Sequence, residues 1–181
     1  MEELPRAHVF VACSVDGFIA RPGGEIDWVT GHRALEGEDF GYSAFLAGME
    51  AVVMGRNTYE KALELDRWPY RLPVTVMSRS LDRERRPKAR GAEVEITGET
   101  PREVLARLGA RGMRDVQVDG GQVIQSFLRD GLVARMTLTR VPLLIGEGRP
   151  LFGPTGRDVP LRFVSARHWP NGYAQMVYEP V

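Results

Sequence analysis

Four short apolar runs, each leading into a turn that contains serine or glycine, constrain this chain more than any other feature. They are His8-Val9-Phe10-Val11-Ala12-Cys13-Ser14, Ala51-Val52-Val53-Met54, Val74-Thr75-Val76-Met77 and Val116-Gln117-Val118. Runs so short and so nearly continuous suit strands of a parallel sheet covered on both faces. Glu93-Val94-Glu95-Ile96 alternates instead, as a strand nearer an edge does.

Helix-period segments lie between the runs. Phe40–Met49 and Asn57–Leu65 are candidates, the second with Asn57 as its cap and Glu60 three residues on. Thr100-Pro101-Arg102-Glu103 is the strongest start signal: an N-cap threonine, proline in the first turn and glutamate at the third position. The spacing predicts a helix from there that ends at Gly109. Val123, Ile124, Phe127 and Leu128 form one face of another helix, with Gly131 beyond it. Leu132–Val141 reads as a long strand. Leu161–Trp169 and Tyr173–Glu179 flank the turn Pro170-Asn171-Gly172, which makes the C-terminal part antiparallel. The expected class is α/β: a mostly parallel central sheet, helices on both faces and a C-terminal antiparallel hairpin, in a single domain over 1–181.

Bulk properties exclude several roles. The chain has 181 residues, with 24 Lys and Arg against 24 Asp and Glu, so it has no net charge with which to attract nucleic acid or an acidic membrane. No apolar run is long enough for a membrane span. The N-terminus lacks signal-peptide character, and the one cysteine, Cys13, fits a reducing compartment, so the expected location is the cytoplasm. His8, His32 and His168 are scattered and give no metal-ligand spacing. The stretch Arg83–Arg90, with five Lys or Arg residues, reads as a solvated connection.

In an open α/β sheet, ligands bind beyond the carboxyl ends of the strands. Four segments fall there. Ser14-Val15-Asp16-Gly17-Phe18-Ile19-Ala20 leads into a glycine-rich loop and reads as a plain loop or a ligand lid. Met54-Gly55-Arg56-Asn57-Thr58-Tyr59-Glu60 sets a guanidinium beside a helix N-terminus, which suits an anion, with a capped helix and a solvent-facing arginine as the alternative. Val76-Met77-Ser78-Arg79-Ser80 reads as a polar turn, or as hydroxyls and an arginine placed for a further phosphate. In Val116–Ile124, the pair Gly120-Gly121 opens a helix and lets a ligand approach the backbone closely. Neither G-x-G-x-x-G nor a P-loop occurs.

In this order the segments resemble the dihydrofolate reductase-like superfamily. Leu138–Phe152, with Pro142-Leu143-Leu144-Ile145-Gly146-Glu147-Gly148, narrows the resemblance to the branch of the C-terminal reductase domain of the bifunctional riboflavin-biosynthesis enzyme. The resemblance runs from about residue 7 to 179 and implies a three-layer fold that binds NADPH. Ala12 and Ile19 would contact the nicotinamide through backbone atoms. Gly55, Arg56, Asn57 and Thr58 would hold phosphates. Ser78 and Arg79 would face the adenosine 2′-phosphate, and Gly120, Gly121, Gln122 and Val123 the pyrophosphate. The glycine pair often has a cis peptide bond in the family. Trp28 and Tyr59 are candidates for the substrate pocket, each with core packing as the alternative. The family's acidic position has no clean match, and Asp27 and Asp39 are the candidates, each also readable as a helix cap or a solvated acid. The resemblance further implies homodimers.

The resulting expectation is an NADPH-dependent reductase of a small heterocyclic or carbonyl-like substrate. The branch's chemistry reduces a ribosylaminopyrimidine to its ribitol form. No deaminase signature occurs here. The rivals are a nucleotide-binding module without turnover and a structural dimer that has lost cofactor affinity.

Overall fold

A computed structural model describes residues 4–31, 37–82, 84 and 93–181. The basic stretch at 83–90, apart from Glu84, lies outside the described residues, as does His32.

In chain order the elements are β1 (Arg6–Ser14), β2 (Phe18–Ala20), α1 (Asp27–Gly31), α2 (Tyr42–Ala47), β3 (Ala51–Gly55), α3 (Arg56–Glu64), β4 (Val74–Met77) and β5 (Val94–Thr97). There follow α4 (Pro101–Ala110), β6 (Asp115–Asp119), α5 (Gly121–Arg129), β7 (Val133–Val141), β8 (Arg149–Pro150), β9 (Leu161–His168) and β10 (Ala174–Pro180). The main sheet has the order β5-β4-β3-β6-β1-β7-β10-β9. Its strands from β5 to β7 pair in parallel, and the last two pairings are antiparallel. The alternating strand is indeed at an edge, and the hairpin forms the other end.

The pleat sends alternate residues to opposite faces. Val116 and Val118 of β6, with Ala7, Val9 and Cys13 of β1, pack beneath α4 and α5 through Val104, Leu105, Leu108, Ile124 and Phe127. Val52 and Met54 of β3, with Val74 and Val76 of β4, pack on the opposite face against Tyr59 of α3. Helices therefore cover both faces. Residues 8, 10 and 12 of β1 and 115, 117 and 119 of β6 point to the α2 side, where α2 buries none of its residues. Among the described residues, α2 is the helix on that side, and Tyr42 and Phe45 are half-buried there.

Local chemistry sets most element ends. Thr100 Oγ1 accepts from Glu103 N, and the Glu103 carboxylate accepts from Thr100 N at 2.8 Å, closing the expected capping box. Gly109, however, lies inside α4, which runs on to Ala110; the left-handed glycine is Gly112 (φ 85°). Asn57 is not a cap either: α3 starts one residue earlier, and its N-cap is Gly55. The loop after Ser14 is partly a ribbon, because β2 pairs antiparallel with β8. Pairing between residues some 130 positions apart leaves no local signature.

Candidate active site

The four strand-end segments lie in a row along the carboxyl rim of the sheet. Strand order dictates this: 78–79 follows β4, 55–58 follows β3, 120–123 follows β6, and 14–19 follows β1.

The middle two segments touch. Gly55 is the N-cap of α3 and Gly120 the N-cap of α5, and no side chain caps either helix. Helix amides without side-chain acceptors carry the positive end of the macrodipole and suit an anion. A Cβ on Gly55 would lie 3.0 Å from Val123 Cγ2, and one on Gly120 would lie 2.5 Å from Thr58 Oγ1. A Cβ on Gly121 would meet Ile19 Cδ1 at 2.9 Å and the Pro150 carbonyl at 3.0 Å. The backbone is therefore drawn in around 55–58 and 120–121, and Ile19 lies against the glycine pair. Gly120 has φ 88° and ψ 130°, a region open essentially to glycine. The Gly120–Gly121 peptide is trans, which corrects the cis expectation. Gln122 is exposed, whereas Val123 is buried and offers a ligand only its amide.

At the β4 end, Ser78 Oγ accepts from Leu81 N at 3.0 Å and Ser80 N at 3.3 Å, which shapes the turn. Arg56 Nη1 donates to Ser80 Oγ at 3.2 Å while its Nε pairs with Glu60, linking the α3 start to this turn. The Arg79 stem passes Gly98, beyond β5. At the β1 end, Ser14 Oγ accepts from Phe18 N at 2.9 Å, and Ala12 borders the cluster around Trp28.

Four other candidates have surroundings that match the alternative reading of each. Asp27 is exposed and bonded to Arg21 through both carboxylate oxygens, at 2.8 and 2.9 Å. Asp39 accepts from the Gly41 and Ser43 amides, both at 2.9 Å, and so supports the start of α2. Hydrogen bonds from Arg21 and from Ser43 hold these carboxyls below the ordinary aspartate range, so neither is a ready proton donor. Tyr59 is fully buried and packs edge-on to Trp68, in the core and not in a pocket. Trp28 is 3% exposed, among Val141, Trp169 and Tyr173, so its ring has no free face for stacking. Its Nε1 is buried with no hydrogen-bond partner among the described residues, an orphan donor that a buried ligand or water would satisfy.

A further acid lies at the end of β6: Asp119, half-buried by accessible surface. Desolvation pushes its carboxyl above the ordinary range, opposed only by the Gly120 amide, which donates to Oδ1 at 2.7 Å. Its surroundings are aromatic. The Tyr42 hydroxyl lies 3.4–3.5 Å from the Gln117 amide group, and burial together with the Asp119 charge raises the phenol of Tyr42. Tyr70 is raised more strongly, by burial first and then by Asp119 and Tyr42. Phe10 packs against Tyr42 and Phe45 at 5.3 and 5.0 Å between ring centroids. Asp119 precedes the glycine pair directly, and alternation sets it and Gln117 on one face. That signal is visible in the sequence, but it does not report desolvation.

Helix starts without side-chain caps, set side by side at the rim of a mostly parallel sheet that ends in an antiparallel hairpin, define a dihydrofolate reductase-like domain. Residues 5–175 match the model of the RibD C-terminal domain, and the chain belongs to that family. It is 29% identical over 165 residues to the uncharacterised protein YwjB of Bacillus subtilis (strain 168), covering 89% of this chain and 90% of YwjB. It is 31% identical over 164 residues to the riboflavin biosynthesis protein RibD of Corynebacterium ammoniagenes, spanning 81% of this chain but 46% of that longer protein. A crystal structure from Shewanella sp. PV-4, of a protein provisionally named for riboflavin biosynthesis, superposes with a TM-score of 0.89 at 32% identity, covering 97% of this chain and 99% of the other.

Proposed function

We propose that this chain is an NADPH-dependent reductase of a small heterocyclic substrate, of the kind found among riboflavin precursors. The supporting observation is the pair of glycine-capped helix starts, interlocked beside Asp119. The residues fit the cofactor: a Cβ would fill the cradle at Gly120 and Gly121, and the first-turn amides of α3 and α5 have no side-chain acceptor.

NADPH, when bound, would supply the hydride. Gly55, Arg56, Asn57 and Thr58, with Gly120, Gly121, Gln122 and Val123, would hold its phosphates. Ser78 and Arg79 would take the 2′-phosphate, and the backbone of Ala12 and Ile19 would border the nicotinamide. The substrate would lie on the α2 side of the sheet, where Phe10 and Phe45 offer apolar faces and Tyr42 and Gln117 offer hydrogen bonds. A carboxyl with a raised pKa retains its proton at higher pH than an ordinary aspartate, which suits Asp119 for donating a hydrogen bond or a proton to a ring nitrogen. Membership of the RibD C-terminal domain family supports reduction of a ribosylaminopyrimidine-like compound.

The test is NADPH oxidation by the purified protein over a panel of ribosylaminopyrimidines, pterins and quinones, alongside thermal unfolding with NADPH. A cofactor at about 100 times its dissociation constant stabilises by about 2.7 kcal/mol. Oxidation with a pyrimidine supports the reading. Stabilisation with no oxidation across the panel points to a binding module, and no stabilisation rejects the cofactor.

A further inference from the structure

The turn between β1 and β2 is fastened to the segment between β7 and β8 at several points. Val15 N donates to the Leu143 carbonyl at 2.9 Å, and Leu151 N donates to the Gly17 carbonyl at 2.9 Å. Arg140 Nη1 donates to the Ser14 carbonyl at 3.0 Å. Between these, the Asp16 carboxylate accepts from Ile145 N at 3.2 Å and from Gly146 N at 2.8 Å. Gly146 has φ 81°, a conformation that suits glycine and helps turn its amide onto the carboxylate.

The fastening reaches the cofactor crevice. Two residues beyond Asp16 begins β2, whose Ile19 lies against Gly121, and the Pro150 carbonyl of β8 closes on the same glycine. Gly148 admits the Ala20 carbonyl, which would lie 2.3 Å from a Cβ there. The turn, segment 143–151 and the glycine pair therefore pack as one unit. Asp16 itself is exposed, so its removal leaves no cavity. Charge-assisted bonds from a carboxylate to backbone amides are among the stronger ones available to a loop.

We infer that Asp16 is a positioning residue. By holding the Ile145 and Gly146 amides, its carboxylate clasps the β1–β2 turn to segment 143–151 and so sets Ile19 against Gly121. The consequence for a nicotinamide ring rests on the function proposed above, whereas the clasp itself does not.

The experiment compares the parent with Asp16→Ala and Asp16→Asn, in which the amide oxygen can still accept. Hydrogen exchange without cofactor reads the clasp. Asp16→Ala is expected to speed exchange in peptides covering 9–20 and 143–151 and to leave those of α3 and β6 unchanged, with Asp16→Asn intermediate. Binding of NADPH and of adenosine 2′,5′-bisphosphate reads the positioning. Asp16→Ala should weaken NADPH about tenfold, the scale expected for charge-assisted bonds. It should leave the bisphosphate unchanged, because that fragment lacks the nicotinamide. Unchanged exchange in both peptides, or faster exchange over the whole chain, overturns the clasp. Equal weakening of both ligands overturns the positioning role. If the parent binds neither ligand, the cofactor proposal fails and the exchange data alone decide on Asp16.

Discussion

Gly120 and Thr58 are fitted so closely that a methyl group on the glycine would lie 2.5 Å from the Thr58 hydroxyl. The relationship is reciprocal. Each N-cap glycine faces the third residue of the other helix, Gly120 opposite Thr58 of α3 and Gly55 opposite Val123 of α5. Two helix starts can lie this close only because neither cap carries a side chain. Their amides thereby converge on one stretch of rim, which is the arrangement a pyrophosphate requires.

Gly120→Ala is expected to cost about 1–3 kcal/mol for its φ of 88°, a strain the new side chain cannot avoid, plus the contact with Thr58. Urea unfolding measures the loss. Adding Thr58→Ala should recover the contact component and leave the dihedral component. A single variant as stable as the parent contradicts the fit.

Asp119→Asn should raise stability at neutral pH. Burial raises the carboxyl in the folded chain, so the fold favours the protonated form. As pH rises from the unfolded value of about 3.9 through the folded value, ionisation progressively costs stability, and above that the cost is constant. Asparagine carries no such cost and can still accept from Gly120 N. Unfolding followed across pH should therefore show a gain at neutral pH that vanishes below about pH 4. The same variant should lose most turnover if Asp119 supplies the proton. A gain that persists in acid rules out burial of the charge as its origin.

Arg79→Ala should weaken NADPH about 10- to 100-fold, the range expected for a lost charge-assisted bond, and leave NADH nearly unchanged. Titration with both cofactors checks this. Equal losses refute the 2′-phosphate assignment.

Strand β9 lies at the sheet edge and is exposed along its whole length, with Leu161, Phe163 and Val164 among its residues. An uncovered edge of this kind invites pairing, and a second copy of the chain is the proposed partner. Sedimentation should show a dimer for the parent and a monomer for Phe163→Glu with the fold retained. A monomeric parent refutes the homodimer.

The crevice was partly legible in the chain. The turns at 55–58 and 120–121 are marked by glycine at strand ends, and strand order then sets them side by side. The surroundings of the candidate acids were not legible. Asp27, Asp39 and Asp119 are the same residue type near plausible loops, and only their surroundings differ. Arg21 holds Asp27, two amides hold Asp39, and Asp119 is half-buried, close enough to Tyr42 and Tyr70 for its charge to raise both phenols. Trp28 and Tyr59 were ambiguous for the same reason, since an aromatic ring suits a core as well as a pocket.

By itself, the sequence determined what local physics controls: the succession of strands and helices from apolar periodicity, the capping box at Thr100, and the glycines where the chain needs dihedrals or proximity closed to other residues. Tertiary structure alone decided the strand order, the β2–β8 ribbon, the clasp at Asp16 and which carboxyl is partly shielded from water. Each of these depends on segments far apart in the chain, and desolvation is a property of the assembled surroundings, which no residue carries on its own.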